Sequence, residues 1–199
     1  MKPLIAPIAN ALNYHQRVML ALSGPPAAGK STLSQQIAAH FSEYGCAIVP
    51  MDGFHLDNRI LKARGQLDEK GAIHSFDAAG FAAIIKKISA EQAVFVPEFD
   101  RDLDLSRAGA IEITNQRLII VEGNYLLHNA PPWSDLLPFW TLSVWVDVSL
   151  EMVEARCIKR WLDHGLDPGA ARARAQQNDV KNAQNAIQNH LEPDLYYKA

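Results

Sequence analysis

The chain has 199 residues, which is the length of a single folded domain with one hydrophobic core. Hydrophobic residues make up 48% and charged residues 21%, so the composition excludes disordered, collagen-like and disulfide-scaffold proteins. The net charge of -3 lacks the positive excess that binding to a phosphate backbone requires, and we expect no nucleic-acid partner.

The cysteines and the N-terminal segment bear on where the protein works. Cys46 and Cys157 are far apart and have no metal or redox spacing, which fits a reducing cytoplasm. No apolar run approaches the roughly 18 residues of a membrane span, so we expect no membrane association. Segment 2–17, interrupted by prolines and asparagines, is interpreted as a short leader and not as a signal peptide.

Apolar runs alternate with helical patterns along the rest of the chain. The runs are mostly continuous and do not alternate in polarity, which is typical of strands buried on both faces; they lie at 18–22, 47–50, 94–99, 118–121 and 142–148. Apolar residues at helical spacing lie at 33–41, 81–88, 150–161 and 180–191. This order predicts one α/β domain over residues 1–199, with a largely parallel sheet and helices on both faces. Ligands are then expected at the carboxyl ends of the strands.

A phosphate-binding loop follows the first predicted strand. Residues 24–31 read GPPAAGKS, a full match to G-x-x-x-x-G-K-[ST] between a strand and a helix. An ordinary glycine-rich turn would leave the Lys-Ser pair unexplained. Lys30 is expected to reach the β- and γ-phosphates of a nucleotide, Ser31 to bind Mg²⁺ and Thr32 to contact the α-phosphate region. The predicted nucleotide-binding residues are Gly24, Pro25, Pro26, Ala27, Ala28, Gly29, Lys30, Ser31 and Thr32.

Three predicted strands end in an acidic residue, and parallel strands bring their ends to one edge of the sheet. Asp52 opens a loop of polar and aromatic residues and is interpreted as a general base that also lies near the metal. Glu122 is interpreted as the metal-side carboxylate. Asp147 lies just before Ser149 at a helix start, where acids commonly have a capping role.

A lid is predicted over about 156–175. Arg156 and Arg160 lie four residues apart on one helix that ends at Gly165, and a second helix carries Arg174. Arginines on a closing segment can stabilise the charge that develops on a transferred phosphoryl group. Spacing alone supports equally well a solvated face paired with acids of the same helix.

Three further segments carry a family resemblance: MDGFHLDN at 51–58, KGAIHSFD at 70–77 and PEFDRDLD at 97–104. Together with the phosphate loop, they resemble the P-loop kinases of the uridine kinase, pantothenate kinase and phosphoribulokinase group, in particular a bacterial branch associated with nucleosides or sugar transport. The resemblance implies a five-stranded parallel sheet, ATP with Mg²⁺, and transfer of the γ-phosphate to a hydroxyl of a nucleoside, sugar or pantothenate-like acceptor. It leaves a homodimer open.

The resemblance also implies roles for individual residues. It strengthens Asp52 as the base and Glu122 as a metal ligand. It implies acceptor contacts from Phe99, Asp100 and Arg101, and charge stabilisation by Arg156, Arg160 and Arg174. The position of Arg101 is commonly His or an aromatic residue in better-known members, so the acceptor is expected to differ. A guanidinium there suits a carboxylate or a phosphate.

Other assignments keep alternatives. His55, three residues after Asp52, is expected to contact the acceptor. Tyr125 is expected to form a wall of the acceptor pocket, with core packing as an equal or stronger alternative. Asn178, Asp179 and Asn182 are interpreted as neighbours of the adenine.

Two other functions compete with a kinase. A nucleotide-operated switch or assembly ATPase uses the same loop, but N-K-x-D is absent and the D-x-x-G match at 77–80 opens a helix. A binding module without turnover is disfavoured because Lys30, Ser31, Asp52 and Glu122 are all present.

Overall fold

The computed structural model describes all 199 residues. Its helices are α1 (Lys2–Tyr14), α2 (Lys30–His40), α3 (Asn58–Ala63), α4 (Ala78–Ser89), α5 (Leu150–Asp163), α6 (Pro168–Arg174) and α7 (Val180–Gln188). Its strands are β1 (Val18–Ser23), β2 (Cys46–Pro50), β3 (Val94–Asp100), β4 (Leu105–Ile113), β5 (Leu118–Gly123), β6 (Leu142–Asp147) and β7 (Leu195–Lys198). None of the helices combines the length and hydropathy needed to cross a bilayer.

A parallel sheet of five strands forms the centre of the molecule, in the order β2-β5-β1-β6-β7. Every residue of β1 is buried, as the continuous apolar run predicts. Alternate side chains of β1 and β5 point into two separate hydrophobic clusters, one containing Phe81 and Ile85 of α4 and the other Leu33 and Ile37 of α2. The predicted α/β sheet with helices on both faces is therefore confirmed.

One predicted strand lies outside this sheet. β3 pairs with β4 in a separate antiparallel hairpin. In β3, Val94 and Val96 are buried while Phe95 is 64% exposed, so this apolar run has one buried face and one solvent face. The fifth position of the parallel sheet belongs to the short strand β7, which the sequence patterns did not indicate.

The N-terminal segment is part of the fold, and its interpretation as a leader is wrong. Residues Lys2–Tyr14 form helix α1 with Pro3 in its first turn, where a proline removes no helical hydrogen bond. Leu4, Ile8 and Leu12 recur at a spacing of four and are buried in the cluster that contains α2.

The helices after β6 are bounded by caps that the sequence indicates. The Ser149 side chain accepts a hydrogen bond from the N–H of Met152 at the start of α5. The Asp167 side chain accepts from the N–H groups of Gly169 and Ala170 at the start of α6. A π-helical segment, Ala175–Asp179, joins α6 to α7. α5, α6 and this segment pack together beside the carboxyl edge of the sheet.

Candidate active site

The phosphate loop leaves β1 at Ser23 and enters α2 at Lys30. Gly29 has φ of 89° and Ala27 has φ of 58°, so both adopt left-handed backbone, which is costly for a residue with a side chain such as Ala27. A Cβ at Gly24 would lie 2.8 Å from the carbonyl oxygen of Val146 on β6. The loop therefore passes too close to β6 for a side chain at Gly24.

Lys30 is held inside this loop and is only 7% exposed. Its Nζ donates to the carbonyl oxygens of Gly24 at 2.9 Å and Pro25 at 2.8 Å, and to Oδ1 of Asn124 at 2.8 Å. Burial lowers the pKa of Lys30, and the charges of Glu122 and Asp52 oppose this shift. The ammonium thus lies between the loop carbonyls and two carboxylates.

The two carboxylates reach the loop through the register of the sheet. Glu122 of β5 pairs with Leu22 of β1 on one side and with Pro50 of β2 on the other, so it stands between the loop and the turn that carries Asp52. Ser31 Oγ donates to Glu122 Oε1 at 2.9 Å. Burial raises the pKa of Glu122, and the charge of Lys30 opposes the shift.

Asp52 lies in the turn after β2 and makes an ion pair with the hairpin. Its Oδ2 accepts from Arg101 Nη2 at 2.9 Å; the Asp52 side chain is 31% exposed and that of Arg101 63%. The position is exposed enough that water screens the pair, which makes it readily broken.

A pocket of about 350 Å³ contains the loop and both carboxylates; we call it the phosphate-loop pocket. The predicted residues that line it are Pro26, Ala27, Ala28, Gly29, Lys30, Ser31, Thr32, Asp52, Glu122, Arg101 and Arg160. Asp147 does not line it and is exposed at the end of β6.

A second pocket of about 610 Å³ adjoins the first, and we call it the arginine pocket. Among the predicted residues it is lined by His55, Phe99, Arg101, Arg160 and Arg174. Arg101, Arg160 and His164 line both pockets, so the two share a basic boundary.

Lys70 anchors the wall of the arginine pocket. Its side chain is 10% exposed, and Nζ donates to Asn58 Oδ1 at 2.7 Å and to Asp104 at both its carbonyl oxygen (2.9 Å) and Oδ1 (2.8 Å). Burial acts to raise the pKa of Asp104, but hydrogen bonds from Lys70 and Asn58 outweigh it and lower the pKa overall. The turn of the β3–β4 hairpin is therefore tied to the segment after α3.

His55 packs its ring between Phe76 and Phe99, with ring centroids 4.1 and 4.9 Å apart. Nδ1 lies 2.8 Å from the carbonyl oxygen of Asp52, which can only accept, so Nδ1 carries the proton. Burial lowers the pKa of His55 despite the charge of Asp52. His55 is thus a neutral ring beside the base candidate.

Three predicted site residues make other contacts. Tyr125 is fully buried, and its hydroxyl donates to the carbonyl oxygen of Gly71 at 3.0 Å, as its core-packing alternative describes. Asp100 Oδ1 accepts from the N–H of Leu103 at 3.1 Å inside the hairpin turn. Arg156 Nη1 donates to the carbonyl oxygen of Ala27 at 3.1 Å, so it touches the back of the loop.

The residues interpreted as adenine neighbours are Asn178, Asp179 and Asn182, and they lie in or beside the arginine pocket. Asn178 and Asp179 line the arginine pocket, and Asn182 donates to Asn178 Oδ1 at 3.0 Å behind it. A separate cavity is lined by Ala27, Thr32 and Arg156, among others, and shares no residue with the arginine pocket. The sequence analysis assigns no role to Asn124 or Lys70. The features that could have identified them are their polar side chains within segments 122–125 and 70–77.

Several known proteins are similar to the chain in sequence or in structure. No protein-family model matches the chain. The Schizosaccharomyces pombe protein C227.14, which carries a provisional uridine kinase name, is 34% identical over 201 residues, covering 92% of this chain and 84% of that protein. A Silicibacter protein provisionally described as a fructose transport system kinase has a crystal structure that matches with a TM-score of 0.90 and 44% identity, covering 96% of this chain and 98% of that one.

The chain belongs to the uridine kinase, pantothenate kinase and phosphoribulokinase family of P-loop kinases. A pantothenate kinase of Corynebacterium diphtheriae is 33% identical over 156 residues, covering 74% of this chain and 50% of that longer protein. Membership makes the chain an ATP-using phosphotransferase. The relatives are named for different acceptors, so the family leaves the acceptor of this P-loop kinase open.

Proposed function

We propose that the protein transfers the γ-phosphate of ATP to a hydroxyl group of a small-molecule acceptor. The observation that carries this is the pair of adjoining pockets: one contains the phosphate loop and two carboxylates, and the other opens beside them with room for an acceptor. A switch or assembly ATPase needs the first pocket but has no use for the second.

The phosphate-loop pocket supplies the nucleotide contacts. The first backbone N–H groups of α2 have no partner within the helix and can donate to phosphate oxygens. On nucleotide binding, Lys30 exchanges its bonds to loop carbonyls for bonds to the β- and γ-phosphates. Arg156, through its bond to Ala27, positions the loop in its left-handed conformation. The cavity beside Thr32 and Arg156 is where the base of the nucleotide fits.

The residues present fit Mg²⁺. The Ser31 hydroxyl and the Glu122 carboxylate lie 2.9 Å apart with Asp52 in the same pocket, an oxygen donor set that leaves positions for phosphate oxygens and water. When bound, Mg²⁺ neutralises charge on the β- and γ-phosphates.

Asp52 acts as the general base. Its carboxylate takes the proton of the acceptor hydroxyl, the hydroxyl oxygen forms a bond to the γ-phosphorus, and the bond from that phosphorus to the β–γ bridging oxygen breaks, releasing ADP. Arg160, on the boundary of both pockets, stabilises the negative charge of the transferred group.

The experiment is acceptor-dependent ADP release from Mg-ATP by Asp52→Asn, with Asp147→Asn as the matched control. Asn keeps the shape of Asp52 but removes its basicity, so turnover should fall about 10² to 10⁴-fold while nucleotide binding persists. The control changes an exposed acid at the same sheet edge outside both pockets and should retain wild-type turnover. Full activity in Asp52→Asn would remove the base assignment, and ATP hydrolysis that ignores every acceptor would favour a switch.

A further inference from the structure

The arginine pocket has more positive charge than its own acidic residues compensate. Its cationic side chains are Lys70, Arg101, Arg160 and Arg174. The four cations have different hydrogen-bond partners within the protein, and these partners determine which of them can bind a ligand.

Two of the four cations pair with acids that line the same pocket. Lys70 binds the carboxylate of Asp104 at 2.8 Å. Arg160 Nη2 donates to Asp179 Oδ1 at 2.9 Å, and the second oxygen of that carboxylate accepts from Trp161 Nε1 at 2.6 Å. Because the charge of each of these two cations is balanced by an acid of the same wall, neither gives the arginine pocket a net positive charge.

Arg174 is different because no carboxylate pairs with it. Its Nη1 donates to the backbone carbonyl oxygen of Asp68 at 2.9 Å, and its guanidinium lies 5.4 Å from the centre of the Trp161 ring. The Asp68 carboxylate at the rim is exposed and forms no ion pair with it. The guanidinium is therefore oriented by neutral groups and keeps donors free for an anion.

Arg101 lines the same pocket as Arg174, and its acidic partner is Asp52. While this ion pair persists, Oδ2 of the Asp52 carboxylate is occupied by the guanidinium of Arg101. An anion in the arginine pocket gives Arg101 a competing partner and frees Asp52, whereas a neutral molecule does not.

We propose that the acceptor carries an anionic group, a phosphate ester or a carboxylate, which binds between Arg174 and Arg101 and draws Arg101 away from Asp52. The inference rests on the proposed kinase function and narrows its substrate class. Arg101 then couples acceptor binding to the availability of the base. A volume of about 610 Å³ accommodates a small phosphorylated or acidic hydroxy compound.

The test compares matched acceptors that differ in charge: pentoses with pentose phosphates, nucleosides with nucleoside monophosphates, and hexoses with the corresponding sugar acids. ADP release is measured with Mg-ATP. We expect the preferred acceptor to be anionic, with kcat/KM about ten- to hundredfold above that of its neutral counterpart. The phosphate and carboxylate arms identify which anion is used. Equal or better use of the neutral counterpart overturns this inference and leaves the kinase function standing, whereas no turnover with any acceptor removes both.

Arg174→Gln tests the residue, with Arg172→Gln as the control because Arg172 is exposed on the same helix and does not line the pocket. Arg174→Gln should raise KM for the anionic acceptor about ten- to hundredfold, with little change for ATP or the neutral counterpart. An equal loss for both acceptors would overturn the assignment.

A binding measurement needs no turnover. With Mg-ADP saturating the phosphate-loop pocket, inorganic phosphate should raise the melting temperature of the wild type and of Arg172→Gln but not of Arg174→Gln. The same rise in all three proteins overturns the anion site.

Discussion

At the scale of single residues, the site divides into contacts that a local motif determines and contacts that depend on distant segments. Lys30 and Ser31 were predicted because the loop motif specifies both the residues and the backbone around them. The ion pair of Arg101 with Asp52 joins residues 49 positions apart, and the bond of Lys70 to Asp104 joins residues 34 apart. No local pattern encodes such distances, so these pairs were not predictable from the sequence.

His55 leads to a prediction of pH dependence. Because burial lowers its pKa in the folded state, the unfolded chain takes up a proton first as the pH falls below the ordinary value near 6.5. His55 therefore favours the folded state above that pH, and this contribution is lost as the pH falls toward the lower folded pKa. The slope for one group is at most about 1.4 kcal/mol per pH unit.

Urea unfolding between pH 7.5 and 5 measures this effect. The His55→Gln variant, although less stable at pH 7.5 because its stacking is lost, should lose less stability over the interval than the wild type. His15→Gln, at an exposed position, serves as control and should keep the wild-type slope. A wild-type slope in His55→Gln would exclude His55 as a group with a lowered pKa.

At the scale of elements, it is easier to predict whether a segment forms a helix or a strand than to predict which strands pair with each other. The segments 94–99 and 118–121 are both predicted as strands of one sheet, yet β5 lies inside the parallel sheet and β3 in a hairpin outside it. The exposed Phe95 conceals the alternation of β3, because an apolar side chain on the solvent face reads as part of a continuous run. β7 has only four residues, too few to give a periodic signal.

Helix α6 depends on its cap, and this gives an element-scale prediction. Asp167→Ala removes the acceptor of two backbone N–H groups and should lower the free energy of unfolding by about 1 kcal/mol. For a chain of this size, that corresponds to a drop of about 2–4 °C in melting temperature. Since α6 carries Arg174, KM for the acceptor should rise as well.

The matched control is Asp163→Ala, which removes an exposed pair with Lys159 at the end of α5 and should change stability by less than about 0.5 kcal/mol. Calorimetry of the wild type, Asp167→Ala and Asp163→Ala measures the melting temperature of each. If Asp163→Ala costs as much as Asp167→Ala, the cap is not what stabilises α6.

At the scale of the whole molecule, the two ends of the chain complete the structure. α1 covers one face of the sheet, and β7 forms its last strand next to β6. Leu4, Ile8 and Leu12 have helical spacing, but the prolines and asparagines of this segment favour a leader over a helix when the sequence is considered alone. Pro7 removes one helical hydrogen bond, and burial of the stripe compensates for it.

Ile8→Ala tests whether α1 belongs to the core. Ile8 is fully buried, so the variant should lose about 2–5 kcal/mol of unfolding free energy. Tyr14→Ala, at a side chain 79% exposed in the same helix, should stay within about 0.5 kcal/mol of the wild type. Chemical unfolding measures the free energy of unfolding of both variants. A loss below about 0.5 kcal/mol for Ile8→Ala would contradict the assignment of α1 to the core.

The separate β3–β4 hairpin has a consequence for how acceptor choice can change over time. The nucleotide contacts lie on the parallel sheet. Phe99 lies on β3 and Arg101 in the turn that joins β3 to β4, and these two strands pair only with each other. Substitutions in the hairpin can reshape the arginine pocket without altering the register that places Glu122 beside the phosphate loop. A change confined to this hairpin can therefore alter which acceptor binds while the residues that bind the nucleotide keep their positions.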